Sequence, residues 1–449
     1  MNPPTAFQQK MAARLSRQRS YRVILRRCET INPSVIRSIV SESLQDLGVR
    51  PTGRVFIKPN VVTANRAYIH HSYTNPHLVA EVINWARTHG AAQVTVGESG
   101  GFGIPSRLFL SEAGYLDLRR LDAHVVDLNT EPTVRVPLSR GMHHHSMLLA
   151  RSLHDADFLL WMPKLKYHIC CTTTCALKLN IGILTHQERM LYHDDRLDEK
   201  IIDMLEVGYP DAVVTDAVEI GHGYESAPQA LHLGVIMVAD DPVAMDVVAN
   251  RVLGYEPADC RHLMIAHERG YGPPDLEQVQ IEGDVTLDEL RAKTAGIESE
   301  YQDIHKVKTP IRFYCGTDDE RDRFCHGGCL AAVKGALGTI DKRRPGSVAR
   351  AKPGAIVTGV YRGNVDAGDG VALLIGRCTR VEGEINARKI KRLGGCPIGA
   401  KQLLIAIPMS FGLPSPMLDL VDSLKFIAFS IDKALRRLVA NLFGPKLAE

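Results

Sequence analysis

Between residues 20 and 300, short apolar runs alternate with stretches whose apolar residues recur every three or four positions. Runs at 22–25, 54–58, 93–97, 124–127, 157–162, 212–216 and 234–239 read as strands. Stretches at 33–47, 76–89, 198–206 and 242–253 read as helices. This alternation predicts an α/β fold, with a largely parallel sheet and helices on both faces. Such sheets bind ligands beyond the carboxyl ends of their strands, so chemistry that directly follows a strand carries extra weight.

The pattern changes outside that region. Residues 1–20 read as a basic arm, followed by the α/β domain over 21–300. There are seven basic residues and no acid before Glu29. A polar stretch over 295–310 reads as a linker, and 311–407 as a small Cys-rich C-terminal module. From 415 to 443 the chain reads as one amphipathic helix. Leu420, Leu424, Ile427, Ile431, Leu435, Leu438 and Leu442 fall on one face, with Lys425, Lys433, Arg436 and Arg437 among the polar positions. The expectation is a helix docked on its own protein or on a second subunit, as in a homo-oligomer. A membrane-surface helix is the competing reading and the less favoured one.

Composition narrows the class. With 45% hydrophobic and 23% charged residues the 449-residue chain is neither disordered nor membrane-spanning. A net charge of +3 and 6% aromatics give no reason to expect nucleic acid. The chain has no apolar signal-peptide core, so a cytoplasmic location is expected, where cysteines are thiols or ligands rather than bridges.

Three phrases concentrate polar chemistry after strands. VFIKPNVV places Lys58 and Asn60 at a strand end. A G-E-S-G-G turn over 97–101 could let backbone N–H groups approach an anion. PKLKYHICCTTTCALKLN carries Lys164, Lys166, His168, Thr172, Thr173, Thr174, Lys178 and Asn180. So many donors after one strand point to carboxylate or phosphate binding. In TDAVE and ADDPVAMD, Asp240 or Asp241 is most simply a helix cap. His143, His144 and His145 read as a surface run, since neighbours on an extended segment point to opposite faces.

IKPN, the TNP helix start, G-E-S, PKLKYH, LKLNIG, TDAVE and ADDPVAMD occur in this order over about residues 20–260. In that order they resemble the family known as domain of unknown function 362, an iron–sulfur-associated family. The resemblance implies an α/β domain and an accompanying [4Fe–4S] module. Many relatives carry the ferredoxin repeat C-x2-C-x2-C-x3-C-P, which this chain lacks.

Any cluster must therefore use other cysteines. Five of the ten lie at Cys315, Cys325, Cys329, Cys378 and Cys396, flanked by glycines, and Pro397 follows the last. Cys325, Cys329, Cys378 and Cys396 form the best set of four thiolates, with Cys315 as a substitute or neighbour. Zinc is the alternative, although only Cys325 and Cys329 have zinc-like spacing. Packing without metal is a third reading.

The sequence thus supports an iron–sulfur oxidoreductase-like enzyme acting on a small anionic substrate. Lys58, Asn60, Thr172, Thr173, Thr174, Lys178 and Asn180 would bind it, and His168, Lys164 and Lys166 would carry the chemistry. His168 is the natural proton carrier because imidazole titrates near neutrality. An electron donor protein would be its partner. A non-catalytic electron-transfer or assembly protein and a zinc-stabilised acid–base enzyme stay open as alternatives.

Overall fold

The computed structural model describes residues 5–64, 71–101, 104–190, 193, 196–224, 228–297, 303–317, 328–396 and 398–443. All seven strand patterns enter one ten-stranded sheet. Its order is Gln280–Gly283, Arg22–Arg27, Gln229–Ala239, Ala212–His222, Phe158–Met162, Gly53–Pro59, Ala91–Glu98 and His124–Asp127, with two short strands, Lys164–Tyr167 and Thr173–Thr174, branching from it. The pairing is mostly parallel, as expected. Gln229–Ala239 runs antiparallel to both neighbours, and the short strands Lys164–Tyr167 and Thr173–Thr174 pair antiparallel with each other. Only residues 223–228 join Gln229–Ala239 to Ala212–His222, too few for a parallel crossover.

Helices cover both faces because neighbouring strand residues point to opposite sides. Val55 and Ile57 pack with Ile36, Val40, Leu78 and Val82, whereas Phe56 packs with Trp161, Ile183 and Val247. Burying each such side chain contributes about 1.5–3 kcal/mol. Helices Pro33–Asp46, Pro76–Thr88 and Pro242–Val252 each begin with proline behind a capping side chain: Asn32, Asn75 and Asp241. The carboxylate of Asp241 accepts from Val243 N and Ala244 N, both at 2.9 Å, and so is the helix cap.

The expected basic arm is corrected to a docked helix, Ala6–Leu15, closed by a capping box between Thr5 and Gln8. Phe7 and Met11, one turn apart, enter the core. Arg14 pairs with Asp211 at 3.0 Å. The basic residues there are structural partners of the sheet.

The C-terminal module has its own four-stranded sheet: Ile311–Cys315, Gly354–Tyr361, Val365–Val381 and Ile385–Leu393, all parallel. Only residues 362–364 separate the second strand from the third. The long third strand bends, pairing Val365 with Ile385 and Val371 with Gly354, so the chain winds as a solenoid coil does. Helices Cys329–Arg343 and Ala400–Phe411 cover one face, packing Val333, Leu337, Leu403 and Phe411 on Ile356 and Leu373.

The last helix, Leu420–Phe443, turns its polar side inward. Lys425 pairs with Glu112 at 2.6 Å, Asp432 with Arg107 at 3.3 Å, and Arg437 Nε donates to Asn129 O at 3.0 Å. Leu420, Leu424, Ile427, Ile431, Leu435 and Leu438 are left exposed, each by more than half. The helix is docked on its own protein, one of the two expected arrangements, but through ion pairs and hydrogen bonds of its polar face and not through the apolar stripe.

Candidate active site

The carboxyl ends of Gly53–Pro59 and Ala91–Glu98, with the helical turn Lys178–Ile183, enclose a cavity of about 40 Å³. That is room for about two or three water molecules, or for one small anion. Lys58, Asn60, Glu98, His168, Lys178, Arg189 and His193 supply its polar lining. Lys58, Asn60, His168 and Lys178 thus come together as expected.

The other donors do not join them. Lys164 Nζ is buried 2.9 Å from Asp216 Oδ1, and Asp216 also accepts from Asn75 N at 2.8 Å. Lys166 Nζ donates to Ser72 O at 2.9 Å. Thr172 bonds Asp259 O and Thr173 bonds Asn250 Oδ1, while Thr174 is buried. Asn180 accepts from Trp161 Nε1 at 3.1 Å and donates to Leu177 O. The reading of Lys164, Lys166, Thr172, Thr173, Thr174 and Asn180 as one anion site is corrected on this geometry. The strand Lys164–Tyr167 sends its side chains into the fold, where protein groups engage them.

The G-E-S-G-G turn does bind an anion, but the anion is its own. Glu98 Oε1 accepts from Ser99 N at 2.7 Å and Gly100 N at 3.2 Å. Its Oε2 accepts from Val61 N at 2.9 Å and Lys58 Nζ at 2.6 Å. Burial pushes the Lys58 ammonium below its ordinary pKa, and Glu98 opposes that shift. Gly182 lies directly on this pair: a Cβ there would stand 2.6 Å from Lys58 Nζ. A larger residue there would have to push the Lys58 and Glu98 side-chain ends aside.

Lys58 is therefore neutralised in place, and the cavity's spare positive charge comes from Lys178 and Arg189. Lys178 makes no side-chain hydrogen bond or ion pair among the described residues. Arg189 is 4% exposed, and burial lowers its pKa to about 10, so it stays charged at neutrality. It donates to Ser99 Oγ and to Leu184 O, but its Nε has no partner among the described residues. Asn60 Oδ1 is likewise buried and without a partner there. Buried polar groups normally find partners, so two orphans lining one cavity mark a place for a ligand.

His168 is set as a hydrogen-bond donor. Its Nδ1 accepts from Cys170 N at 3.0 Å and Cys171 N at 3.1 Å, which leaves the ring proton on Nε2. Burial, then the nearby Lys178 and His193, hold its pKa well below the ordinary 6.5. Neutral imidazole is the resting state, and the expectation of titration near neutrality is corrected. Nε2–H can donate to an oxygen in the way a neutral catalytic imidazole does.

Asp246 sits behind the site. It accepts from Ala176 N at 2.7 Å and Leu177 N at 3.2 Å and so holds the backbone that leads into Lys178. His144, expected on the surface, is buried instead. The backbone N–H groups of Met142, His143 and His144 all close on the Asp203 carboxylate. A larger, apolar cavity of about 160 Å³ lies under the last helix, but its charged residues pair with each other, Lys425 with Glu112 and Arg343 with Asp422.

In the C-terminal module, Cys315, Thr358, Ile375 and Leu393 stand in register across four parallel strands, Cys315 and Leu393 at the ends of theirs. Cys378 and Cys396 follow the last two, joined where Arg377 N donates to Gly395 O at 3.0 Å. A Cβ at Gly376, whose φ is +109°, would lie 3.1 Å from Cys329 Sγ. Cys315, Cys329, Cys378 and Cys396 are thus gathered at one end of the module; Cys325 lies outside the described residues. The neighbouring hydrophobic cluster includes Ile169 and packs Cys170 against it, and Lys334 Nζ donates to Ile169 O at 3.3 Å. The His168 loop therefore touches the module. Elsewhere, Cys171, Asp198 and His262 present ligand atoms within 4.8 Å of one another.

Sequence reasoning missed Glu98 as a resident anion, and it missed Arg189 and His193. Glu98 was visible inside the glycine turn. Arg189 and His193 sit in a segment with no motif of their own.

The comparisons with known proteins agree with the ordered phrases. The chain is 26% identical over 239 residues to the "Thylakoid-associated protein sll1697" of Synechocystis, covering 51% of this chain and 72% of that protein. It is similar at 10% identity and a TM-score of 0.37 to the lactate racemase apoprotein of Thermoanaerobacterium thermosaccharolyticum, over 76% of this chain and 69% of that one. A Thermotoga maritima protein gives 12% identity and a TM-score of 0.33, over 73% and 70%. Residues 55–251, which hold the whole cavity lined by Lys58, Lys178 and Arg189, match the family described as Domain of unknown function (DUF362), the family whose phrases the sequence resembles.

Proposed function

We propose that the protein is an enzyme that binds one small carboxylate or phosphate in the cavity between Lys58 and Arg189. The observation that carries this is the pair of orphaned buried groups, Asn60 Oδ1 and Arg189 Nε, beside the unpaired Lys178. Lys178 and Arg189 would hold the anion's oxygens, with charge-assisted bonds about twice as strong as neutral ones. Asn60 would accept a proton-bearing group, and His168 Nε2–H would donate to an oxygen of the substrate. The buried setting lowers the local dielectric and strengthens each of these contacts.

We further propose that the C-terminal module holds a [4Fe–4S] cluster, with Cys315, Cys329, Cys378 and Cys396 as ligands among the described residues. Their gathering on glycine-rich strand ends suits a bulky inorganic core. A bound cluster would supply electrons or an open iron, and the contact of Cys170 and Ile169 with the module sets it beside the His168 loop. Anaerobic purification with iron, sulfide and zinc analysis tests this. About four irons and four sulfides per chain are expected. A colourless, iron-free protein overturns the cluster, and zinc that is lost on Cys378→Ser would favour the zinc-stabilised acid–base enzyme.

A specific observation favours a membrane-surface site of action. The exposed apolar stripe of Leu420–Phe443 has no cover on its own chain among the described residues, and the Synechocystis relative is named as thylakoid-associated. No helix among the described residues is long and apolar enough to cross a membrane. The stripe would lie in the interface plane. Sedimentation with anionic vesicles should carry the full chain down and leave a chain lacking 415–449 in the supernatant. Equal partition of both contradicts this placement.

A further inference from the structure

Across the His168 loop from the anion cavity, three chain segments bring sulfur, nitrogen and oxygen donors together. Cys171 lies in the turn after Lys164–Tyr167. Asp198 opens the helix Leu197–Asp203, and His262 opens the helix Arg261–Glu268. One ligand atom of each lies within 4.8 Å of the other two. Cys260, two residues before His262, adds a second sulfur 3.3 Å from His262 Nε2.

The burial is unusual for such groups. His262 and Cys260 are wholly buried and Cys171 nearly so, while the Asp198 side chain is 15% exposed and leads to the surface. The Cys171 thiol has weak partners: His168 Nδ1 at 3.4 Å, which already accepts two backbone N–H bonds, and Thr173 O at 3.8 Å. Asp198 Oδ1 meets His262 Nδ1 at 2.8 Å.

We propose that Cys171, Asp198 and His262 bind one divalent ion of the zinc class, with Cys260 as the nearest fourth donor. The mixed thiolate, imidazole and carboxylate set is the one that zinc accepts, at about 2.0–2.3 Å from each ligand. Ligand atoms around such an ion stand roughly 3.3–3.8 Å apart. Asp198 and His262 would therefore part by less than about an ångström, and Cys171 would close in. Binding replaces the Cys171 thiol proton with the metal and leaves His262 neutral at its ligating nitrogen, so protons are released to solvent. Because Cys171 N also bonds His168 Nδ1, the ion would fix the loop that aims His168 at the cavity. This site is separate in sequence and in donors from the C-terminal cysteines.

The test uses the full chain loaded with zinc or cobalt(II) alone. About one zinc per chain is expected beyond any iron, together with a thiolate-to-cobalt absorption band after cobalt loading. Cys171→Ser should weaken the band, leaving at most the contribution of Cys260, and Asp198→Asn should weaken cobalt binding at least about tenfold. Cys378→Ser, in the C-terminal module, should leave the band and the zinc unchanged. Asp198 is partly exposed, so its variant remains informative even where Cys171→Ser fails to fold. Unchanged cobalt affinity in a folded Asp198→Asn chain, or a band lost in Cys378→Ser and kept at full strength in Cys171→Ser, overturns the proposal.

Discussion

The cavity and the last helix break the same rule in opposite directions. Around the cavity, charged and amide groups are taken out of water, and some are left without partners. On Leu420–Phe443, eight large apolar side chains among the described residues are left in water while the polar face is turned inward. Stable folds avoid both arrangements unless something outside the chain completes them. The difference lies in what would complete each one. On the proposed reading a small anion would complete the cavity, and an apolar surface would complete the helix. The lysines of Lys164–Tyr167 mark the contrast, since they are as buried as the cavity but already engaged, Lys164 in an ion pair with Asp216 and Lys166 in a hydrogen bond to Ser72 O.

That contrast yields predictions, the largest first. Lys164→Ala leaves Asp216 buried without its cation and should cost about 3–5 kcal/mol of stability, read as a lowered denaturation midpoint. A loss below about 1 kcal/mol would break the distinction between structural and ligand-binding lysines. Arg189→Ala removes a charged donor and should weaken anion binding about 10–100-fold, as measured by calorimetry, while Gly182→Ala should disturb the Lys58–Glu98 pair and the cavity together. Ile427→Ser with Ile431→Ser should reduce vesicle binding and leave the thermal midpoint within about 1 kcal/mol of the parent, because both side chains are exposed. A large loss of stability there would mean the stripe is covered in solution, as a second copy of the chain would cover it.

The last prediction concerns the pH dependence of stability. Burial lowers His144 and His186 from the ordinary 6.5 to about 4. Below about 6.5 the unfolded chain takes up protons on both residues that the native chain does not. Stability therefore falls as pH drops from about 6.5 toward about 4. Asp246, raised by burial to about 6, pulls the other way, since its native carboxyl is protonated before the unfolded one. Thermal midpoints of His144→Gln should fall less steeply across this window than those of the parent; equal slopes would contradict the shift.

Much of the fold was legible because strands and capped helices leave local marks. Asn75-Pro76 and Asp241-Pro242 announced helix starts, and apolar runs announced strands. The docking of Ala6–Leu15 was hidden because Phe7 and Met11 find their core only in three dimensions, beside residues nearly two hundred positions away. The site was half legible. A lysine after a strand is visible in sequence, but whether a carboxylate from another segment has already claimed it is not. Lys58 and Lys164 looked alike to Lys178 until Glu98 and Asp216 were placed beside them. The cysteine placements at 315, 329, 378 and 396 were legible as chemistry, and the solenoid winding that gathers them was not.

The most direct test compares the satisfied lysine with the unsatisfied one. The full chain, Lys178→Ala and Lys164→Ala are each titrated calorimetrically with acetate and with inorganic phosphate. Saturable binding of at least one anion to the full chain is expected. Binding should weaken about 10–100-fold in Lys178→Ala and persist in whatever fraction of Lys164→Ala remains folded. Identical anion binding by the full chain and by folded Lys178→Ala would contradict the anion site.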